Sequence, residues 1–158
     1  MANKSNENMQ LLMEWVQQLQ RDAPSSLADK ATGFYDHHII NDVVIESSEP
    51  GRVVFSLFVK PRHVNSDGLL HGGVMASLVD VLGTAALITV GHRVGMSVEI
   101  NVSFISSAVA EDKLEVEGKV LRAGKNLAVI EVNVRKENGV LVAQGRHTKY
   151  LSVAGSKL

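Results

Sequence analysis

The stretch from Gly72 to Val90 constrains this chain more than any other. Two glycines are followed by Val74, Met75, Ala76, Leu78, Val79, Val81, Leu82, Ala85, Ala86, Leu87, Ile88 and Val90. Strand alternation fails here, and the apolar residues fill almost every side of a helical projection. A helix apolar all round is either buried or membrane-spanning. The length just reaches a span, but Gly72, Gly73 and Gly83, the hydroxyls of Ser77, Thr84 and Thr89, and a central Asp80 argue against one. The better solution is a helix enclosed by a sheet.

The flanking segments supply that sheet. From Ile39 to Val59 two strands are expected, broken by the turn Glu49-Pro50-Gly51. The second alternates, with Val53, Phe55, Leu57 and Val59 on one face; Pro61 stops it, and His63 to Leu70 form a loop. Four strand-like runs follow the helix. Val98, Ile100, Val102 and Phe104 alternate with polar residues, as do Leu114, Val116, Gly118 and Val120, then Ile130, Val132 and Val134; Val140 to Tyr150 close the series. Arg122 to Asn126 reads as a polar turn and Asn138-Gly139 as a two-residue hairpin turn. Ahead of the strands, residues 9–22 read as an amphipathic helix with Leu11, Leu12, Trp15, Val16 and Leu19 on one face, ended by Pro24 and Ser25-Ser26. Gly33 to Ile40 look irregular.

The expected fold is therefore α+β: an antiparallel sheet of about six strands wrapped around a long central helix, preceded by an N-terminal helix. Residues 1–37 form the N-terminal helix and irregular segment, 38–152 the main domain and 153–158 a tail. At 158 residues the chain fits one hydrophobic core. Exposed edge strands favour pairing of two copies into a continuous sheet.

Composition narrows the function. A net charge of −1 leaves no global basic field for nucleic acid or an anionic membrane. The absence of cysteine excludes disulfides, a thiol nucleophile and thiolate zinc sites. Met1 to Met9 lack the apolar core of a secretory signal, and one Lys, no Arg and two Glu in the first twenty residues disfavour a mitochondrial presequence. The terminal Ser156-Lys157-Leu158 reads as a peroxisomal address.

Several familiar machines are missing: the Gly-x-Ser-x-Gly elbow, the His-Glu-x-x-His zinc motif, the P-loop and the dinucleotide fingerprint. His37-His38 is read as an exposed pair rather than a metal site, and no metal is expected. Asp80 stands out as the only charged side chain between Gly72 and Gly91. A buried carboxylate must be paired, protonated or facing a polar site. It is either a structural carboxylate bonded to backbone or arginine, or a base or nucleophile tuned by burial. The second feature is the loop His63 to Leu70 running into His71-Gly72-Gly73. Gly-Gly at a helix start leaves backbone N–H groups for a carbonyl oxygen that gains charge during attack, or merely permits close packing. His71 and Asp80 lie nine residues apart, which projects them about 180° apart on the helix. A symmetric dimer, unlike one subunit, can place Asp80 of one chain beside Gly72 of the other.

Asn65-x-x-Gly68-x-Leu70-His71-Gly72-Gly73 with Asp80 seven residues on resembles the hotdog-fold acyl-CoA thioesterases of the phenylacetate-pathway type. It is most similar to the eukaryotic thioesterase superfamily member 2 (acyl-CoA thioesterase 13) group. The similarity runs from about Val53 to Leu151 and includes Gly95-Met96-Ser97-Val98 and Ala143-Gln144-Gly145-Arg146-His147-Thr148-Lys149. The resemblance implies that Gly72 N–H polarises the thioester carbonyl while Asn65 and His71 position the thioester or water. It implies that Asp80 acts as general base or nucleophile and that Ser97 helps hold the water. It further implies a coenzyme A site near Phe104 to Val109 and the turn from Arg122 through Gly124, Lys125 and Asn126 to Leu127, with Arg122 and Lys125 as phosphate partners. Coenzyme A would be part of the substrate, with no separate cofactor, and the assembly a homodimer-based homotetramer. The acyl group would be fatty or aromatic.

The rival class is a non-catalytic acyl-CoA or lipid-binding protein of the same fold; Asp80 and the Gly-Gly donors favour catalysis. A dehydratase is the other enzyme reading, but the motif context of hotdog hydratases is missing.

Overall fold

The structure, a computed structural model, describes residues 2–21, 33–92 and 94–151. In chain order the elements are α1 (Ala2–Leu19), α2 (Phe34–Ile40), β1 (Val44–Glu49), β2 (Arg52–Phe58), a short turn of 3-10 helix at Pro61–His63, α3 (Gly72–Ile88), β3 (Met96–Phe104), β4 (Lys113–Ala123), β5 (Leu127–Lys136) and β6 (Leu141–Tyr150). The six strands form one sheet in the order β1-β2-β4-β5-β6-β3, every neighbouring pair antiparallel. No described helix is long and apolar enough to cross a membrane.

The apolar segment is the helix α3, laid across the concave face of the sheet against β4, β5, β6 and β3. Inward residues Leu114, Val116, Ile130, Val132 and Val134 meet Leu78, Val79, Leu82 and Ala86, all fully buried. Burying a side chain of this size contributes about 1.5–3 kcal/mol, so this layer is the main source of stability. Sheet glycines set how closely the helix approaches. A Cβ on Gly145 would lie 2.6 Å from the methyls of Val79, and one on Gly118 would lie 3.1 Å from the Leu82 carbonyl oxygen. Glycine at these points lets the strand backbone take the place of a side-chain layer.

Three local expectations are corrected. The first helix begins at Ala2 rather than near residue 9, and Leu11 turns outward while Leu12 and Val16 are buried. Polar residues of its first turns belong to the helix because Asn8 Nδ2 donates to the Thr89 carbonyl (3.0 Å), tying α1 to the end of α3. Gly33 to Ile40 are not irregular: Gly33 takes a φ of 82° and seven helical residues follow. Ile39 and Ile40 are buried in that helix, so the first strand starts later, at Val44. Two β-branched residues in sequence had the appearance of a strand; packing against α3 overrode the propensity.

The third correction lies in β3. Ser97 pairs with Lys149 and Glu99 with Thr148, so Val98 is an extra residue in a bulge. The bulge breaks the alternation, leaving Val98 61% exposed instead of sharing the inward face of Ile100 and Val102. Pro24, Ser25, Ser26 and the tail Ser156-Lys157-Leu158 lie outside the described residues.

Candidate active site

The sequence-marked residues fall into three groups. The first sits at the start of α3. The loop before it folds back through a bridge between Val64 and Leu70, and Asn65 Oδ1 accepts from the N–H groups of Asp67 (3.0 Å) and Leu69 (3.1 Å). The loop is anchored beneath by buried His63, whose carbonyl accepts from His71 N–H (2.9 Å) and whose Nδ1 accepts from Lys60 N–H (3.1 Å). Burial, then the Arg62 charge, lowers the pKa of His63 to about 4, so it stays neutral.

His71 is the N-cap of α3, and its Nδ1 accepts from Gly73 N–H at 2.8 Å. This corrects the expectation that both glycines offer free donors. Gly73 is occupied, and among the described residues nothing accepts from Gly72 N–H. That single donor projects from the positive end of the helix dipole, an arrangement suited to an oxygen gaining negative charge. The Phe104 ring lies alongside: a Cβ on Gly72 would sit 3.5 Å from it.

The second group surrounds Asp80, two turns further along α3. Its side chain is 43% exposed although its neighbours Val79 and Leu82 are fully buried. Asp80 Oδ1 accepts from the Ser97 hydroxyl at 3.0 Å. The β3 bulge makes this possible, because it swings Ser97 to the inward side in register with Lys149. His147 Nε2 lies 2.9 Å from Ser97 Oγ and 3.4 Å from Asp80 Oδ1. Lys149 Nζ donates to Thr84 Oγ1 at 2.9 Å and to Ser97 Oγ at 3.4 Å.

The fully buried His147 has its pKa lowered to about 4, chiefly by burial and then by Lys149, with Asp80 pulling the other way. It is neutral at physiological pH, so its contact with Asp80 is a polar contact rather than an ion pair. Burial also lowers the Lys149 pKa, again opposed by Asp80. On the solvent side, α2 covers part of the same face: Tyr35 Oη and Ser77 Oγ are hydrogen-bonded at 2.7 Å. Asp36 beside Tyr35 is held above the ordinary carboxylate range, first by burial and then by repulsion from Asp80.

Asp80, Ser97 and His147 contain the residue types of a serine-hydrolase triad but not its geometry. A triad needs the carboxylate on Nδ1 and the serine on Nε2. Here both face Nε2, and among the described residues no side chain pairs with the buried His147 Nδ1. This arrangement does not activate Ser97 as a nucleophile, and the half-exposed Asp80 carboxylate is the candidate reactive group.

The third group is the turn between β4 and β5. Arg122, Lys125 and Asn126 are exposed, and the Gly124 N–H closes the turn on the Leu127 carbonyl at 2.8 Å. Register places Leu127 beside Tyr150 and Tyr150 beside Met96, so this turn shares the Ser97 end of the sheet. Phe104 and Val109 belong to the opposite end, where Leu69 bridges Val109 near the start of α3.

One chain thus unites Asp80 with Ser97 but leaves Gly72, His71 and Asn65 apart from them. Eight residues of helix put Gly72 about 12 Å from Asp80 along the axis. Sequence reasoning missed His147 and Lys149 as site residues. Their signal is parity: Ala143, Gly145, His147 and Lys149 share the inward face of β6, where ionisable side chains are out of place. A groove of about 430 Å³ on the outward face of the sheet, lined by Glu99, Asn101, Glu131, Gln144 and Arg146 among others, does not include Asp80. No cluster of metal-ligating side chains occurs among the described residues.

Comparison with known proteins agrees with this architecture. Residues 67–143 match the thioesterase superfamily model. Human acyl-coenzyme A thioesterase 13 is 38% identical over 124 residues, which cover 77% of this chain and 87% of that protein. Zebrafish thioesterase superfamily member 2 has a crystal structure that superposes with a TM-score of 0.75 at 34% identity, covering 87% of this chain and 96% of that one. The E. coli PaaI protein from the phenylacetic acid degradation operon shares the fold, with a TM-score of 0.71 at 19% identity over 96% of this chain and 95% of that one. A sheet wrapped around one buried helix, with a carboxylate at mid-helix, defines a hotdog-fold protein. The chain belongs to the thioesterase superfamily, in the group of acyl-coenzyme A thioesterase 13.

Proposed function

We propose that this chain hydrolyses acyl-coenzyme A to the free acid and coenzyme A, in a site shared by two copies. The observation that carries the reading is Asp80, a half-exposed carboxylate on a buried helix, held through one oxygen by Ser97. Its relative in humans is an acyl-coenzyme A thioesterase by name.

The shared site follows from the edge strand. One side of β3 bonds to β6 and the other is unpaired among the described residues, while Met96, Val98, Phe104 and Ile105 are exposed. A long apolar edge of this kind favours pairing with a second copy. An antiparallel two-fold through the middle of β3 sets its Ser97 end against the partner's Phe104 end. Because Phe104 lies against Gly72, that pairing brings Asp80 to the partner's Gly72. The same operation brings the Arg122–Asn126 turn towards the partner's Phe104 to Val109 segment, in keeping with a coenzyme A site built from both. Two such dimers would form the tetramer expected from the resemblance.

In this arrangement the thioester carbonyl oxygen accepts from Gly72 N–H. The free Nδ2 of Asn65 and the Nε2–H of His71 orient the thioester, their other atoms being committed to the loop and the helix cap. Asp80 takes a proton from water, the hydroxyl adds to the carbonyl carbon, and collapse breaks the C–S bond. The thiolate leaves with the proton Asp80 holds. Arg122 and Lys125, exposed at the turn, supply charge for the phosphates of coenzyme A.

The test is release of free thiol, followed with a thiol-reactive dye, from short, medium, long and aromatic acyl-coenzyme A. Turnover is expected with fatty or aromatic substrates. No release above the uncatalysed rate with any of them would overturn the reading.

A further inference from the structure

We propose that Lys149 is a positioning residue whose buried ammonium, shared between Thr84 and Ser97, directs the Ser97 hydroxyl onto Asp80. This inference rests on the hydrolytic reading of the same site. It adds a residue outside the set that touches substrate.

The argument is an accounting of hydrogens. Lys149 is 3% exposed, and an ammonium has three donors and no acceptor. Thr84 has already spent its hydrogen on the Asp80 carbonyl at 2.7 Å, so Thr84 Oγ1 receives from Lys149. Ser97 Oγ must also receive from Lys149. His147 Nε2 lies 2.9 Å from the same oxygen, donating to it or accepting from it according to the ring tautomer. With Lys149 donating to it, Ser97 Oγ presents its own hydrogen to Asp80 Oδ1 at 3.0 Å. The opposite arrangement would turn a hydroxyl lone pair against a carboxylate.

Charge points the same way. The titratable groups facing Asp80 are Asp36 from α2 and His147 and Lys149 from β6. Strand β3 contributes only the Ser97 hydroxyl, and α3 carries no other charge. Asp36 repels a charge on Asp80 and His147 is neutral, which leaves Lys149, among the described residues, as the cation beside the carboxylate. Burial weakens the ammonium while Asp80 supports it. A residue needed only to fill this inward position of β6 would be apolar, like Ala143 in the same row.

Lys149→Met tests the idea, since a side chain of similar length replaces the buried charge and such exchanges are commonly tolerated. The account expects kcat to fall about 10- to 100-fold with KM unchanged. In the Ser97→Ala, Lys149→Met double variant the loss should be smaller than the product of the single losses. A second measurement needs no change at Lys149: NMR of isotope-labelled lysine Cε in the wild type and in Asp80→Asn. The Lys149 signal should titrate at lower pH in the variant.

A wild-type kcat in Lys149→Met, or identical Lys149 titrations in the two proteins, would overturn the proposal. If wild type releases thiol and Asp80→Asn does not, the hydrolytic reading stands whatever Lys149→Met does. If wild type releases none, that reading fails, and the NMR comparison still decides whether Lys149 and Asp80 are coupled.

Discussion

Asp80→Asn is expected to lower kcat by about three orders of magnitude while KM changes little. The amide has the shape of the carboxylate, and its Oδ1 still accepts from the Ser97 hydroxyl, so the local arrangement is retained. What disappears is the proton acceptor. A half-exposed side chain contributes little apolar burial, so the fold should survive. The substitution does leave the Lys149 ammonium without its carboxylate, and a small drop in melting temperature is expected from that. Steady-state kinetics beside a thermal melt check both points. A loss of activity matched by loss of fold would point to a structural carboxylate, the alternative left open by the sequence.

Gly72→Pro should be nearly as damaging to activity and almost silent in stability. Gly72 is the first residue of α3, the one helical position where proline is readily accommodated because its N–H has no intrahelical partner. His71 before it already has φ −65° and ψ 135°, the extended conformation that a following proline demands. The nearest obstacle to an added Cβ is the Phe104 ring at 3.5 Å, an ordinary contact. Proline therefore replaces the amide hydrogen by its ring Cδ, so the site loses the donor and gains a methylene in its place. If that N–H stabilises the oxyanion, kcat should fall about 100- to 1,000-fold. An active, folded Gly72→Pro enzyme would remove Gly72 from the mechanism.

Much of the plan is legible in the sequence because two patterns reinforce each other. A helix without a polar face has to be enclosed, and the alternating runs around it can only be the enclosing sheet. Asp80 stands out for the same reason, as a charge in a place that otherwise excludes charge. The hidden part depends on tertiary register. Ser97 reaches Asp80 only because Val98 bulges, and a bulge leaves no mark in an alternating run of apolar residues. His147 and Lys149 look like ordinary polar residues of a half-solvated strand until the inward face of β6 is known. Only one of the two Gly-Gly donors is open because His71 Nδ1 caps Gly73, a contact that the sequence does not reveal and that leaves Nε2 for the thioester. Residues Phe34–Ile40 became a helix through burial of Ile39 and Ile40, which local propensity does not reveal.

The central claim is that each active site takes Asp80 from one chain and Gly72 from the other. Mixing decides it most directly. Asp80→Asn and Gly72→Pro are each expected to be nearly inactive. Co-expressed with separate tags and purified together, they form hybrid dimers in which one site carries both lesions and the other carries neither. The account predicts recovery to about a quarter of wild-type activity at equal mixing, since half the dimers are hybrids with one intact site. If both groups served a site within one chain, no hybrid would contain an intact site. Activity in the mixture no higher than in the two parents would contradict the shared site.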